Sequence, residues 1–275
     1  MQSFKVLALV IAASFAVMPA YANDGKTEGS PVKPTTKDHP LEDGIFSGFR
    51  WTSESTKALQ NDEFENPGLL WNEIGEGVWN KKEGEAGKSC ASCHNDASTS
   101  MKGVGARYPI YYKPWKKMIN LEQRINECRK NQMKAKPLKW KSNNLLGITI
   151  YVNRQSLGMP QNVVVNDENK AFFTKGKEHY YKRRGQFDMA CSHCHEDHFG
   201  EKIRANILTQ GHINGFPVYR MKWQKPGSTH RRFKGCNKQV RAKPFKIGSD
   251  EYTNLEFYVR WRGQGLPMET PAVRN

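Results

Sequence analysis

The chain has no long apolar run beyond its N-terminus, few acids for its many bases, and only six cysteines in 275 residues. Each shortage excludes something. Without a second hydrophobic stretch of about 20 residues, the body of the chain carries no transmembrane helix. With 27 acidic against 43 basic residues the formal charge is +16, a balance that favours anionic partners such as nucleic acid, an acidic protein or a small anion. No nucleic-acid motif is present, and the export signal described next makes nucleic acid the weakest of the three.

The N-terminus opens with Lys5 and an apolar run from Val6 to Val17, followed by Ala20-Tyr21-Ala22, the small-x-small pattern of a signal-peptidase site. That run is too short to span a bilayer, and the polar stretch "NDGKTEGSPVKPTTKDHP" follows it at once. Residues 1–22 therefore read as a cleaved signal peptide with the cut after Ala22. Removing 22 of 275 residues, with Lys5, leaves 253 at a formal charge of +15. The expected location is the periplasm, an oxidising compartment, and the length allows two domains of about 100 to 150 residues.

Four cysteines fall in "CASCH" (Cys90, Cys93, His94) and "CSHCH" (Cys191, Cys194, His195). Both fit C-x-x-C-H, in which two thiols bond covalently to a haem and the adjacent histidine binds its iron. A zinc site would need a closed set of about four ligands, and a redox disulfide would need a βαβ context that the sequence lacks. Two such motifs predict two covalently bound haem c groups.

The other two cysteines, Cys128 and Cys236, could pair as a disulfide, but an internal repeat opposes this. Residues 108–131 align without a gap on 216–239, matching Pro109 with Pro217, Trp115 with Trp223, Arg124 with Arg232 and Cys128 with Cys236. After one inserted residue the register carries Tyr151 onto Tyr258 and Met159 onto Leu266. The chain reads as mainly α, with two tandem cytochrome c-like domains related by internal duplication. Equivalent cysteines, each beside its own haem motif, are poorly placed to bond one another and well placed as distal iron ligands. Met159 is a weaker candidate, because its counterpart Leu266 cannot bind iron. His179, His198 and His212 lie near the second motif and keep bis-histidine ligation as a rival, although none has a histidine counterpart in the first copy. Each half closes with an L-x-x-Y-[VIL] type segment, "LLGITIYVNR" and "TNLEFYVRWR", with Asn254 as a possible cap of the second.

The copies differ around these cysteines. Residues 231–246 hold seven bases and no acid, whereas residues 123–138 hold five bases and Glu127, which directly precedes Cys128. Gly235 precedes Cys236. If the segment is helical, Arg232 shares a face with Cys236 four residues on, where a guanidinium could hold an oxyanion and lower the thiol pKa. Arg124 has the same spacing, so the arginine alone does not separate the copies.

These features, and above all "RRFKGCNKQVRAKPFKIGSDEYTNLEFYVRWRGQGLPMETPAVR", closely resemble the SoxA family of dihaem cytochromes across nearly all of the mature chain. The resemblance implies a heterodimer with a SoxX-like monohaem cytochrome subunit, and oxidative conjugation of thiosulfate to a cysteine of a SoxYZ-like carrier, with electrons passing to a cytochrome c acceptor. It implies that Cys236 is the active cysteine, carried as a persulfide, that Arg232 binds substrate, and that Cys128 is the first haem's ligand. Thiosulfate would be drawn to a pocket around Arg232 and Lys238. An electron-transfer-only dihaem cytochrome and a tetrathionate-forming thiosulfate dehydrogenase stand as alternatives. The expected layout is a signal peptide at 1–22, an N-terminal extension at 23–60 that is loose or lies along a partner, a first cytochrome c domain at 61–165, and a second, active one at 166–275.

Overall fold

In the computed structural model, residues 31–36, 39–204 and 206–275 are described, so the expected signal peptide lies outside them. The first half contains α1 (Glu54–Asn61), α2 (Leu69–Asn80), the short α3 (Ala91–His94), α4 (Ala97–Ser100) and α5 (Val104–Arg107). It continues through β1 (Ile110–Tyr112), β2 (Lys117–Ile119), α6 (Leu121–Asn131) and α7 (Asn143–Arg154). The second half runs α8 (Lys170–Tyr181), α9 (Cys191–His195), β3 (Lys202–Ile203), β4 (Asn206–Ile207), β5 (Val218–Arg220) and β6 (Lys225–Gly227). It ends with α10 (Thr229–Gln239), α11 (Asp250–Arg262) and β7 (Val273–Arg274). The architecture is mainly helical.

In each half the long first helix crosses the long last one at a point that admits no side chain. A Cβ on Gly75 in α2 would lie 2.2 Å from the carbonyl oxygen of Gly147 in α7, and one on Gly176 in α8 would lie 2.1 Å from that of Asn254 in α11. Glycine lets the two backbones touch, which sets the crossing and seals the core on either side of it. In the first half that core joins Val78, Trp79, Leu145, Ile148 and Val152. In the second it joins Tyr180, Phe233, Tyr252, Leu255 and Tyr258.

Helix α11 is capped by Ser249, whose Oγ accepts from the amide of Tyr252, and its first turn carries Asp250 and Glu251. This serine-plus-acid start complements the exposed amides and the helix dipole. Asn254, the expected cap, is instead buried inside the helix where it crosses α8. Buried polar groups of α11 are paired, as they must be to offset desolvation: Glu256 lies 3.0 Å from His230, Arg260 donates to Gln161 at 2.7 Å, and Arg262 pairs with Glu196 at 2.8 Å.

The two cysteine-bearing helices start alike. Asn120 caps α6 in a capping box with Gln123, and the Ser228 Oγ caps α10 by accepting from the amide of Arg231. Before each lies a short antiparallel hairpin, β1 with β2 and β5 with β6. The C-terminal β7 adds to β5 in parallel, Tyr219 opposite Val273. The halves are stitched together by Asn120 donating to Glu256 and by backbone bonds between residues 157–161 and 265–268.

The segment expected to be loose or to lie along a partner is tied to the second half of its own chain. The amide of Phe46 donates to Gln210, Gln210 donates to the carbonyl of Gly44, and the His39 ring meets the Arg262 carbonyl at 3.1 Å. Leu41 and Ile45 bury against Leu266. Helix α1 already begins at Glu54, inside the stretch assigned to the extension.

Candidate functional site

Short helices present the two haem-attachment motifs. In the second half α9 carries Cys191, Cys194 and His195 on about one and a half turns. His195 Nδ1 lies 2.6 Å from the carbonyl oxygen of Thr209, a contact that fixes the tautomer and leaves Nε2 for the opposite side. Gly211 makes room for the ring, since a Cβ there would fall 2.8 Å from His195 Cγ, and its φ of +79° suits glycine. The Cys236 sulfur of α10 comes within electrostatic reach of His195, Cys191 and Cys194.

Two thiols on one helical turn, an oriented imidazole and a nearby cysteine sulfur are donors that could hold a covalent haem and its iron. The chemistry of these residues fits the group. The first half brings together the equivalent set: Cys90 precedes α3, Cys93 and His94 lie within it with the His94 ring 5.9 Å from Trp79, and Cys128 of α6 lies within the field of both thiols. All six cysteines are free, so Cys128 and Cys236 do not pair. The rival histidines have other partners. His212 is buried against Gln210, His179 is buried beside Arg184, and His198 pairs on the surface with Glu201.

The two cysteine sites are electrostatically opposite. Burial pushes the Cys128 thiol above its ordinary range, with Arg124 offsetting only part of that. Burial acts on Cys236 in the same direction, yet Arg232, His195 and Arg220 together outweigh it and bring the thiol down to about 7.

The two sites also differ one residue upstream. Glu127, buried beside Cys128, accepts from Tyr112 at 2.8 Å and from Asn131 at 2.9 Å, and forms an ion pair with Arg124. The arginine of the first site is thus neutralised. At the second site the matching residue is Gly235, and a Cβ there would meet nothing within 4 Å. Arg232 has no such carboxylate on its helix, so its charge acts on Cys236 and on whatever enters the open space.

Lys238 does not line this pocket. It is exposed, two residues and about 200° around the helix from Cys236, in the group with Lys225, Arg231 and Lys234 that lowers the pKa of Lys141 after burial has done so. The contributor that reading α10 missed is Arg220, at the end of β5. Its one sequence signal was a mismatch in the repeat, where Arg220 falls opposite Tyr112.

A family profile described as "SoxA/TsdA, cytochrome c domain" matches residues 74–161. Among curated relatives, an L-cysteine S-thiosulfotransferase subunit SoxA from Pseudaminobacter salicylatoxidans is 48% identical over 238 residues, covering 86% of this chain and 83% of its own. One of the same name from Rhodovulum sulfidophilum is 41% identical, covering 85% and 81%. Among solved structures, the crystal structure of SoxXA from P. pantotrophus superposes with a TM-score of 0.82 at 39% identity, covering 85% of this chain and 88% of its counterpart.

Proposed function

This chain belongs to the SoxA family, and from that premise we propose that it is the dihaem subunit of a periplasmic L-cysteine S-thiosulfotransferase that joins thiosulfate to a cysteine of a SoxYZ-like carrier. It carries one haem c in each half and pairs with a SoxX-like monohaem cytochrome, and a cytochrome c takes its electrons. The matched helix crossings, hairpins and cysteine helices of the two halves support a tandem duplication that produced two cytochrome c domains. No helix among the described residues is long and apolar enough to cross a membrane.

The observation that carries this reading is the contrast beside sulfur: Arg232 stands one helical turn before Cys236 with an open space at Gly235, whereas Arg124 before Cys128 is paired with Glu127. His195 and Cys236 would hold the haem iron, which would supply an exit for electrons. The chain's own residues do the rest. The positive charge of Arg232 attracts the thiosulfate dianion and orients it with paired hydrogen bonds to its sulfonate oxygens. The Cys236 thiolate and the sulfane sulfur of thiosulfate then form a sulfur–sulfur bond, giving Cys236–S–S–SO3⁻ and releasing two electrons to the acceptor. The carrier thiolate attacks that sulfane sulfur, takes the S–SO3⁻ group and returns Cys236 as thiolate, an exchange of the thiol–disulfide type. If Cys236 carries an extra sulfur, the same steps run on the terminal atom, further from the His195 side. The net change is carrier–SH plus thiosulfate going to carrier–S–S–SO3⁻, one proton and two electrons.

The test is Cys236→Ala in the complete system with partner and carrier. Thiosulfate-dependent electron transfer should fall by about 100-fold or more, as for loss of a nucleophile, while mass spectrometry still finds two haems. Full activity in that variant would overturn the reading.

A further inference from the structure

We propose that Arg220 is a second anion-binding residue of the Cys236 site and that, with Arg232, it holds the doubly charged sulfonate-bearing substrate against the sulfur. The inference rests on the thiosulfate reading above and adds to it a specificity-determining residue from a different part of the chain.

Three observations converge. The first is aim. In the first half the matching strand position is Tyr112, whose hydroxyl reaches Glu127 on the residue before Cys128. The last residue of this strand therefore points at the turn of helix that carries the sulfur. In the second half the strand residue is Arg220 and the helix residue is Gly235, so the carboxylate is gone and the space beside it is open. Arg220 falls within electrostatic reach of both Arg232 and Cys236.

The second is unbalanced charge. Arg220 lies among positive groups: burial, then Arg232 and Arg274, lower its pKa to about 10, and Cys236 alone acts the other way. Arg274 is matched to Glu269 at 3.2 Å, whereas the Nε of Arg220 is buried with no hydrogen-bond partner among the described residues. A buried donor without a partner is costly, and two guanidinium groups within electrostatic reach of each other and of Cys236 complement a dianion.

The third is preorganisation. The Arg220 guanidinium lies 5.3 Å from the centre of the Trp223 ring, and that of Arg231 lies 3.8 Å from it. Trp223 can occupy this place because Gly227 lies beneath it, where a Cβ would fall 2.3 Å from the ring. In the first half the matching residue is Ile119, and Trp115 is exposed. An arginine packed on an aromatic face loses little freedom when it binds an anion.

The experiment uses the oxidised, haem-loaded protein with its partner and measures thiosulfate binding by calorimetry, which requires no turnover. Arg220→Met should weaken binding at least about tenfold, the loss expected for one charge-assisted contact, and Arg220→Lys should recover part of it. In the full assay with carrier, KM for thiosulfate should rise by a similar factor with kcat little changed, and the Soret spectrum and haem mass should stay as in the wild type. Unchanged thiosulfate affinity in Arg220→Met would overturn the inference. Weakened binding that Arg220→Lys does not recover would overturn it too, as a packing effect of the Trp223 contact. Cys236→Ala run in parallel separates the two levels: if that variant is inactive while Arg220→Met binds normally, only the present inference fails.

Discussion

In the first half Arg124 shares Glu127 with Tyr112 and Asn131, so that the arginine beside Cys128 already has a carboxylate partner. In the second half the same turn offers Arg232 beside a glycine, with Arg220 in place of the tyrosine. The helices have the same length and both are capped by a polar side chain. Placement and surroundings of the sulfur are therefore separable: the helix brings a cysteine to the C-x-x-C-H motif in both halves, and the halves differ at one position on the helix and one on the strand, Glu127 against Gly235 and Tyr112 against Arg220. A further pair changes in concert. Glu83 and Arg129 form an ion pair in the first half, and at the matching positions Arg184 donates to Asn237, so both cysteine helices are clamped from the side, with charge placed differently.

The likeness of the halves is most severely tested at the helix crossings. Gly75→Ala and Gly176→Ala should each cost about 3 kcal/mol, because a methyl group would press on backbone that cannot move away. Denaturant unfolding of the haem-loaded protein checks this, and a large loss at one glycine with none at the other would break the parallel. The difference between the halves is tested next by Gly235→Glu, which places the first site's carboxylate beside Arg232. Thiosulfate-dependent activity should fall by about 30-fold through repulsion of the dianion and neutralisation of the arginine, with both haems retained. Gly235→Ala, which fills the space without charge, should lose much less.

The smallest effect concerns the buried contact between the halves. Glu122 lies against Asn120, which also donates to Glu256. Burial, then the nearby Glu256, pushes the Glu122 carboxyl up to about 8. The folded state therefore keeps a proton that the unfolded state releases above its ordinary carboxylate pKa, and stability declines as pH rises from about 4.5 to about 8. Glu122→Gln should remove that slope, gaining stability at pH 8 and nothing near pH 4. Thermal melts at the two pH values read it directly. The matching position in the second half is His230, buried and paired with Glu256, so the same substitution logic has no counterpart there.

Much of this was legible in the residues. The C-x-x-C-H spacing, the 108-residue register and the acid-free surround of Cys236 located the two motif-bearing helices, the paired cysteine helices and the cysteine set among positive charges, because each depends on near neighbours in sequence. What was missed depends on distance. Arg220 reaches Cys236 from a strand 16 residues upstream, and only the hairpin brings it there. Lys238 looked like a pocket residue by sequence proximity, but two positions along a helix point to opposite sides. The helix starts at the Ser-Asp-Glu run capped by Ser249, five residues before Asn254, because serine and two acids satisfy the first turn there. The polar composition of residues 31–51 concealed Leu41 and Ile45, whose burial against Leu266 ties that segment down.

The central claim, that one cysteine site handles sulfur and the other only holds iron, is tested most directly by peptide mass mapping of the purified complex before and after thiosulfate. Extra sulfur, about 32 Da for a persulfide or the larger thiosulfate adduct, should appear on the Cys236 peptide and be absent from the Cys128 peptide. Sulfur on Cys128, or on neither cysteine after turnover with thiosulfate and acceptor, would contradict the account.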